Sequence, residues 1–204
     1  MKNNESQFGR ANHRVYCSEA IAFDLTRNQS LFEKPWLDHF LSLLTSNARL
    51  LDLGCGSGRP IAQYLIDQGH QLTGLDFSPD MIDLARSYFP THEWVVGDMR
   101  HPPQTNRYDG VISWDGFFHL NASEQRQSLP LWCELLKPSG ALLLTIGHKA
   151  GEVTGTVNGK TVYHASLTIE EYCEILNHCG LIVVDFALQS DELYGHSVLL
   201  AQKN

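Results

Sequence analysis

The 204-residue chain has no long apolar run and few basic residues. No stretch approaches the roughly 20 apolar residues of a membrane span, and residues 1–10 are too polar for the apolar core of a secretion signal. Fifteen Lys and Arg stand against 23 Asp and Glu, a formal net charge of −8, and the basic residues form no run. Nucleic-acid and membrane partners are therefore not expected. We expect a soluble, cytoplasmic protein.

Cysteine and metal-binding patterns are also missing. The five cysteines form no C-x-x-C pair and lack the density of a disulfide-stabilised scaffold. The ten histidines form no metal-spaced pair with a supporting carboxylate. We expect reduced thiols and no metal site.

Strand-like and helix-like patterns alternate from about residue 30 onward. Seven strands are predicted, at residues 49–53, 71–75, 93–96, 110–114, 141–146, 181–188 and 196–202. Helices are predicted at residues 36–44, 60–68, 78–88, 123–136 and 168–179, with a loop at 101–107. This alternation predicts one α/β domain over residues 1–204 with a parallel core. Pro130 is expected to kink or divide its helix.

A hairpin signal follows the fifth strand. Two β-patterned segments, 153–157 and 160–164, flank Asn158-Gly159, a dipeptide typical of tight hairpin turns. We therefore expect an inserted hairpin at residues 151–167, above the carboxyl ends of the strands.

A glycine-rich segment, D-L-G-C-G-S-G at residues 52–58, joins the first strand to the first helix of the sheet. Glycines at alternate positions let a ligand approach bare backbone, and ligands of open α/β sheets bind at the carboxyl ends of the strands. Asp76 ends the second strand, where an acidic residue accepts hydrogen bonds from ribose hydroxyls. These features predict a ligand that contains a nucleoside.

Spacing and charge separate two kinds of nucleoside ligand. The dinucleotide motif G-x-G-x-x-G/A places a small residue at position 59, which is Arg59 here. Asp52, just ahead of the loop, suits a ligand with a positive charge better than a pyrophosphate. Both observations disfavour a dinucleotide, and a nicotinamide-dependent oxidoreductase is kept as the alternative function.

The segment 52–58 resembles the glycine-rich motif of the class I S-adenosylmethionine-dependent methyltransferases. Further motifs of that family are matched in the same order by GLDFS at residues 74–78 with Met81 after it, GDM at 97–99, YDGVISWD at 108–115 and LLKPSG at 135–140. The resemblance runs from about Tyr16 to the C-terminus. It implies a Rossmann-like α/β fold with seven strands in the order 3-2-1-4-5-7-6, the last strand antiparallel, and helices on both faces. It also implies S-adenosylmethionine as the cofactor and S-adenosylhomocysteine as the product.

The same resemblance implies where the cofactor binds. The loop glycines are expected under its methionine part, Asp76 on the ribose, and Asp98 with Met99 at the adenine. Cys55 is expected to be a small filler between the glycines rather than a nucleophile. The expected cofactor-binding residues are Asp52, Gly54, Cys55, Gly56, Gly58, Asp76, Phe77, Met81, Asp98, Met99 and Trp114.

His119 is the leading candidate for a catalytic base. It follows the fourth strand, where members of the family place groups that face the acceptor, and an imidazole exchanges protons near neutral pH. The alternative roles are a wall of the pocket and a structural hydrogen bond to loop backbone. His148, after the fifth strand, is a second candidate.

Two segments are expected to cover the acceptor. Residues 1–45 are expected to fold over the cofactor as a lid that carries Tyr16, and the hairpin is expected to bring Tyr163 or His164 toward the transferable methyl group. The expected substrate-binding residues are therefore Tyr16, His119, Tyr163 and His164.

The acceptor is expected to be a small molecule. Methylation of base amino groups typically uses [DNS]-P-P-[FYW] after the fourth strand, where this chain has S-W-D-G at residues 113–116. No Cys follows a Pro, as carbon-5 methylation of pyrimidines requires. A monomer and a homodimer both remain open, as does a protein that binds the cofactor without methylating.

Overall fold

Nine strands and six α-helices alternate in the computed structural model, which describes residues 7–103 and 107–204. The strands are β1 (Arg49–Leu53), β2 (Gln71–Asp76), β3 (Glu93–Val96), β4 (Tyr108–Ser113), β5 (Leu136–Ile146), β6 (Gly151–Val157), β7 (Lys160–Ser166), β8 (Leu181–Ser190) and β9 (His196–Lys203). The helices are α1 (Gln7–Thr26), α2 (Lys34–Ser42), α3 (Ile61–Asp67), α4 (Pro79–Tyr88), α5 (Ala122–Leu135) and α6 (Ile169–His178). Residues 1–6 of the expected lid and 104–106 of the expected loop lie outside the described part of the chain.

Seven of the strands form one sheet in the order β3-β2-β1-β4-β5-β9-β8. β9 is antiparallel to both of its neighbours, and the other pairs in the sheet are parallel. Counted within this sheet alone, the order is 3-2-1-4-5-7-6, so the fold that the family resemblance implies is confirmed. The strand order reverses between β1 and β4, and the carboxyl ends of such strands border a crevice where ligands bind.

Helices cover both faces of this sheet because its central strands are apolar on both sides. Leu51 and Leu53 of β1 pack on the side of α5 and α6, where Trp132 and Tyr172 are fully buried. Leu50, one residue away, packs on the opposite side with α2, α3 and α4. This alternation with a period of two fixes which side chains reach the crevice at the strand ends.

Helix α5 is not divided at Pro130. It begins at a capping box, in which Asn121 accepts from the Glu124 backbone N–H while the Glu124 carboxylate accepts from the Asn121 N–H. Leu129 and Trp132 on either side of the proline are fully buried. Their packing against the sheet keeps α5 continuous through Pro130 despite the missing N–H donor.

Strands β6 and β7 form a separate two-stranded sheet. Asn158 and Gly159 at its turn have φ angles of 49° and 77°, the left-handed pair that a two-residue hairpin turn requires. The hairpin that this dipeptide predicts is therefore present.

Helix α1 was not predicted as a helix because its burial pattern is inverted. Ile21 and Leu25 are exposed, whereas the polar Asn12 and Asp24 are buried. The helix therefore docks through polar side chains and shows little of the apolar periodicity that identifies amphipathic helices. Among the described residues, no helix is long and apolar enough to cross a membrane.

Candidate active site

A cavity of about 300 Å³ lies at the carboxyl ends of β1, β2 and β4, and α1 covers it. We call it the main cavity. All eleven expected cofactor-binding residues line it: Asp52, Gly54, Cys55, Gly56, Gly58, Asp76, Phe77, Met81, Asp98, Met99 and Trp114. The sequence motifs therefore converge on one space.

The glycine loop forms the floor of the main cavity. Gly54 has a φ of +82°, and a Cβ there would lie 3.0 Å from Met99 Cε and so would meet the opposite wall. Gly56 has a φ of +53°, which a side chain rarely adopts. The backbone N–H groups of Gly54 and Cys55 both donate to the Leu75 carbonyl, at 2.7 and 3.1 Å. The loop thus presents bare, fixed backbone to a ligand.

Asp76 ties the glycine loop to α4. Its Oδ2 accepts from the Gly56 N–H at 2.9 Å, and its Oδ1 accepts from the Ser78 N–H at 2.9 Å. Burial raises the pKa of this carboxyl, while its backbone hydrogen bonds act in the opposite direction. Each oxygen retains a lone pair that can accept from a ligand hydroxyl. Asp76 is therefore a structural anchor as well as a candidate ribose contact.

Asp52 is a second buried carboxylate in the same wall. Only 4% of it is exposed, and burial together with the charge of Asp76 raises its pKa to about 7, while Arg27 acts in the opposite direction. We call this part of the main cavity, with Asp52 and Asp76, the acidic end. Because two carboxylates are close together there, a ligand with a positive charge is favoured over a pyrophosphate.

Asp98 lies where the main cavity borders β3, and it is held by a residue that the motifs did not identify. Arg100 donates to both Asp98 oxygens, at 2.9 Å from Nε and 2.6 Å from one terminal nitrogen, and it also contacts Glu124 at 2.8 Å. Burial disfavours the Asp98 anion, but the hydrogen bonds from Arg100 outweigh it and lower the pKa. Asp98 thus stays ionised as a hydrogen-bond acceptor. An Arg two residues after an Asp was the only sequence signal for this pair.

The residues at the acidic end fit S-adenosylmethionine. The bare glycine loop leaves room for its methionine part, and the two carboxylates match its positive charges. Trp114 also lines the main cavity, and its indole Nε1 is buried without a hydrogen-bond partner among the described residues.

The opposite end of the main cavity holds a hydrogen-bonded pair, Tyr16 and His119. The Tyr16 hydroxyl lies 2.8 Å from His119 Nε2, and His119 Nδ1 lies 3.0 Å from the Tyr163 carbonyl oxygen. His119 Nδ1 also lies 3.1 Å from the Asn12 side-chain nitrogen, which is a donor, so the contacts fit two tautomers. With the proton on Nδ1, Nδ1 donates to the carbonyl and Nε2 accepts from Tyr16; with the proton on Nε2, Nδ1 accepts from Asn12 and Nε2 donates to Tyr16. Burial lowers the pKa of His119 to about 4 and raises that of Tyr16. Both groups are therefore neutral at pH 7, and we call this the Tyr16–His119 end.

Helix α1 reaches this position because it is fastened at both ends. The Asn12 side chain donates to the Tyr163 carbonyl at 2.9 Å and accepts from the Tyr163 N–H at 2.8 Å, as a neighbouring strand would. Near its C-terminus, Asp24 accepts from Ser57 in the glycine loop and from Arg59 at 2.7 Å. The helix therefore spans the main cavity from the hairpin to the glycine loop.

The other two expected substrate-binding residues lie elsewhere. Neither Tyr163 nor His164 lines the main cavity; Tyr163 takes part through its backbone, and His164 faces a second cavity. The His164 ring contacts the His119 ring, with centroids 4.9 Å apart. Neighbouring residues of a strand point to opposite faces, so the hairpin could not bring both side chains to one site. His148 also lines the second cavity.

The sequence of this chain is similar to those of known methyltransferases. The "Methyltransferase domain" family matches residues 50–140. An uncharacterized methyltransferase of Alkaliphilus oremlandii is 30% identical over 94 residues, 46% of this chain and 43% of that protein. The 18S rRNA (guanine-N(7))-methyltransferase of Mus musculus is 34% identical over 89 residues, 41% of this chain and 31% of that protein.

A solved structure covers the whole chain. The 1,6-didemethyltoxoflavin-N1-methyltransferase of Burkholderia thailandensis, with bound 1,6-didemethyltoxoflavin and S-adenosylhomocysteine, matches with a TM-score of 0.76 and 19% identity. The match covers 100% of this chain and 92% of that one. By contrast, the chain spans between about a third and three fifths of the length of the first curated relatives it matches.

Proposed function

Because the chain belongs to the class I S-adenosylmethionine-dependent methyltransferases, we propose that it transfers a methyl group from this cofactor to a small-molecule acceptor. The observation that carries the proposal is the main cavity, which has two carboxylates and a bare glycine loop at its acidic end and a neutral hydroxyl–imidazole pair at the other.

Four residues would hold the cofactor. Asp76 would accept from the ribose hydroxyls, Asp52 would face the ammonium group, and Asp98 with the Met99 backbone would contact the adenine. The Met99 carbonyl already accepts from Trp132 Nε1 at 2.8 Å, which fixes this part of the wall. When bound, S-adenosylmethionine supplies an electrophilic methyl group on a sulfonium that is already a good leaving group.

The chain's own task is then to hold the acceptor in line and to exclude water. With the His119 proton on Nδ1, the Tyr16 hydroxyl donates a hydrogen bond to Nε2 and its oxygen can accept from an acceptor N–H or O–H; in the other tautomer the hydroxyl accepts from Nε2 and can donate to the acceptor. His119 would act as a positioning residue for Tyr16 rather than as a strong base, because its pKa of about 4 leaves it little affinity for protons at pH 7. The acceptor atom must therefore be nucleophilic without a base to remove its proton, which favours a neutral amine or ring nitrogen over a hydroxyl.

Two observations support a small acceptor over a macromolecule. Helix α1 and the hairpin cover the Tyr16–His119 end, and the net charge of −8 disfavours a nucleic-acid backbone. The Burkholderia thailandensis relative binds a small molecule, 1,6-didemethyltoxoflavin. The Mus musculus relative is named for an rRNA guanine, so RNA is the competing acceptor. The proposal also includes a single domain with a lid formed by residues 1–45, a cytoplasmic location, and a monomeric or dimeric state.

Calorimetry and a product screen test the proposal. S-adenosylhomocysteine should bind in the micromolar range and NAD should not; binding of NAD alone would favour an oxidoreductase. Panels of amines, phenols, carboxylates and RNA should then be screened for S-adenosylhomocysteine release. No release from any acceptor, despite cofactor binding, would favour a protein that binds the cofactor without methylating. Release with RNA alone would refute the small-molecule acceptor.

Once an acceptor is found, Tyr16→Phe separates positioning from binding. Removing the hydroxyl should lower kcat about tenfold, a typical contribution of one neutral hydrogen bond, with S-adenosylhomocysteine affinity unchanged within about twofold. The matched control is Tyr64→Phe, because the Tyr64 hydroxyl bonds Asp38 and lines neither cavity. Equal effects of the two changes on kcat would contradict the role of Tyr16.

A further inference from the structure

Asp115, two residues beyond β4, is a carboxylate in the main cavity that the roles proposed above leave unused. Its backbone has a φ of 55°, a left-handed conformation that Asp and Asn adopt more readily than most residues. Its N–H donates to Thr145 Oγ1 at 2.7 Å, which fixes the loop against β5. The side chain is 27% exposed and borders the main cavity, so a bound molecule can reach it.

Two cations hold the Asp115 carboxylate in place. His196 Nε2 lies 3.0 Å from Oδ1, and an Arg27 terminal nitrogen lies 3.7 Å from Oδ2. Arg27 is shared with the buried Glu33, at 3.3 Å. Burial disfavours the Asp115 anion, but His196 and Arg27 outweigh it and lower the pKa. Because 3.7 Å is longer than a hydrogen bond, Oδ2 can still accept from a bound molecule.

The charge of Asp115 acts on the Tyr16–His119 end. Asp115 directly precedes the turn that carries His119, in which the His119 N–H donates to the Gly116 carbonyl at 3.0 Å. Burial is the main cause of the raised pKa of Tyr16, and the charge of Asp115 adds more to it than Arg27 subtracts. At His119, burial lowers the pKa and the charge of Asp115 opposes that change. The Tyr16–His119 end therefore has a neutral hydroxyl–imidazole pair in a negative environment.

Aromatic rings line the same end. The ring of Tyr16 lies edge to face with those of Phe23 and Phe77, at centroid distances of 5.6 and 6.2 Å, and all three residues border the main cavity. Aromatic faces attract cations and pack against planar rings. Rings beside an ionised carboxylate therefore favour a planar ligand that carries a positive charge.

Methyl transfer to a neutral nitrogen moves a positive charge within the main cavity. The nitrogen lone pair forms the new N–C bond, and the C–S bond breaks with its electron pair staying on sulfur. The sulfur thus becomes neutral and the nitrogen becomes a cation. A carboxylate beside the nitrogen stabilises this developing charge more than it stabilises the neutral acceptor, which is the condition for a faster reaction.

We propose that Asp115 faces the reacting nitrogen, and that the acceptor is a heteroaromatic compound with a weakly basic ring nitrogen that methylation converts into a cation. The inference rests on the proposed function, because it names the substrate class of the same site. An aliphatic amine fits less well: it is protonated at pH 7, and a neighbouring carboxylate favours that form, which has no lone pair. A ring nitrogen of the pyridine type carries no proton at pH 7, so none has to be removed.

Two probes that share a shape and differ in charge test this proposal: the 4-(hydroxymethyl)-1-methylpyridinium cation, which resembles a methylated product, and neutral 4-methylbenzyl alcohol. Each is titrated calorimetrically at pH 7 into the full chain saturated with S-adenosylhomocysteine. The cation should bind at least fivefold more tightly. Asp115→Asn, which keeps the side-chain shape and suits the left-handed backbone, should reduce that preference to less than twofold. The matched control Asp185→Asn breaks an Asp–His pair on β8, where Asp185 lies 3.4 Å from His39, and should keep the preference.

The outcomes separate the two proposals. Equal affinities for the two probes, or a preference that survives Asp115→Asn, would overturn the role of Asp115 even where S-adenosylhomocysteine binds normally. Loss of S-adenosylhomocysteine binding in Asp115→Asn would assign this residue to the cofactor, and loss of the preference in Asp185→Asn would remove the assignment to Asp115; both would overturn it as well. Failure of the native chain to bind S-adenosylhomocysteine would instead refute the methyl transfer. The same probes, titrated into the free native chain and the free Asp115→Asn variant, would then still decide whether Asp115 holds a cation.

Discussion

The acidic end of the main cavity comes from one stretch of chain, residues 52–99, whereas the Tyr16–His119 end is assembled from distant segments. Asp52 and Asp76 end neighbouring parallel strands, and the loop between β1 and α3 is fixed by hydrogen bonds to β2. At the other end, Tyr16 and His119 are 103 positions apart, and Asn12 and Tyr163 are 151 apart.

This difference has a consequence for what each end can do. The acidic end is held by backbone geometry that any chain with this sheet shares, so it suits a ligand common to the whole family. The Tyr16–His119 end depends on how α1 and the hairpin dock, and surface segments of this kind vary in length and sequence among proteins of one fold. The Tyr16–His119 end can therefore determine which acceptor binds without disturbing cofactor binding at the acidic end.

The sharpest test of the acidic end is Asp76→Ala. The change removes the acceptor expected for the ribose and also leaves the N–H groups of Gly56 and Ser78 without their carboxylate. Hydrogen bonds to a charged group contribute about 1.5–3 kcal/mol each, so S-adenosylhomocysteine affinity should fall about 100-fold by calorimetry. Asp80→Ala, at an exposed position of the same helix, is the control. An affinity within threefold of the native chain would contradict the assignment.

The same contrast explains what the sequence could predict. Asp52 and Asp76, which define the acidic end, were both identified, because their spacing is fixed by strand ends that follow one another along the chain. Asn12 was not found: nothing near it in sequence shows that it pairs with the backbone of Tyr163. The orientation of Tyr163 and His164 depends on the register of a hairpin against α1, which is a tertiary contact. The Arg100 pairing was also missed, since it depends on Glu124 from another element.

A second test uses pH, and it concerns Asp52. Its pKa of about 7 in the free protein means that the carboxyl is mostly protonated at pH 6 and mostly ionised at pH 8. Only the ionised form attracts the ammonium group of S-adenosylhomocysteine, so affinity should rise with pH, by about tenfold between pH 6 and pH 8. His119 stays neutral over this range, because its pKa is about 4.

Asp52→Asn is the control that assigns this dependence. The amide keeps the shape of the side chain and cannot ionise, so the calorimetric affinity should become nearly independent of pH and stay near the native value at pH 6. A slope that persists in the variant would place the titrating group elsewhere and would contradict the role of Asp52.

The smallest expected effect concerns the link between the two ends, which is α1. Asp24 is 4% exposed and accepts from Ser57, Arg59 and Tyr88, so it fastens the helix to the glycine loop. Asp24→Asn keeps an acceptor for Ser57 but removes the ion pair with Arg59. Since the Arg59 side chain is 30% exposed, the pair contributes only about 0.7 kcal/mol. If α1 is the lid over the main cavity, S-adenosylhomocysteine should dissociate about threefold faster from the Asp24→Asn variant than from the native chain in stopped-flow measurements. The control is Asp38→Asn, which breaks a surface ion pair on α2 and should not change the dissociation rate. Equal dissociation rates in all three proteins would mean that the cofactor leaves by a path that α1 does not cover, and the acceptor end would then have to be closed by the hairpin alone.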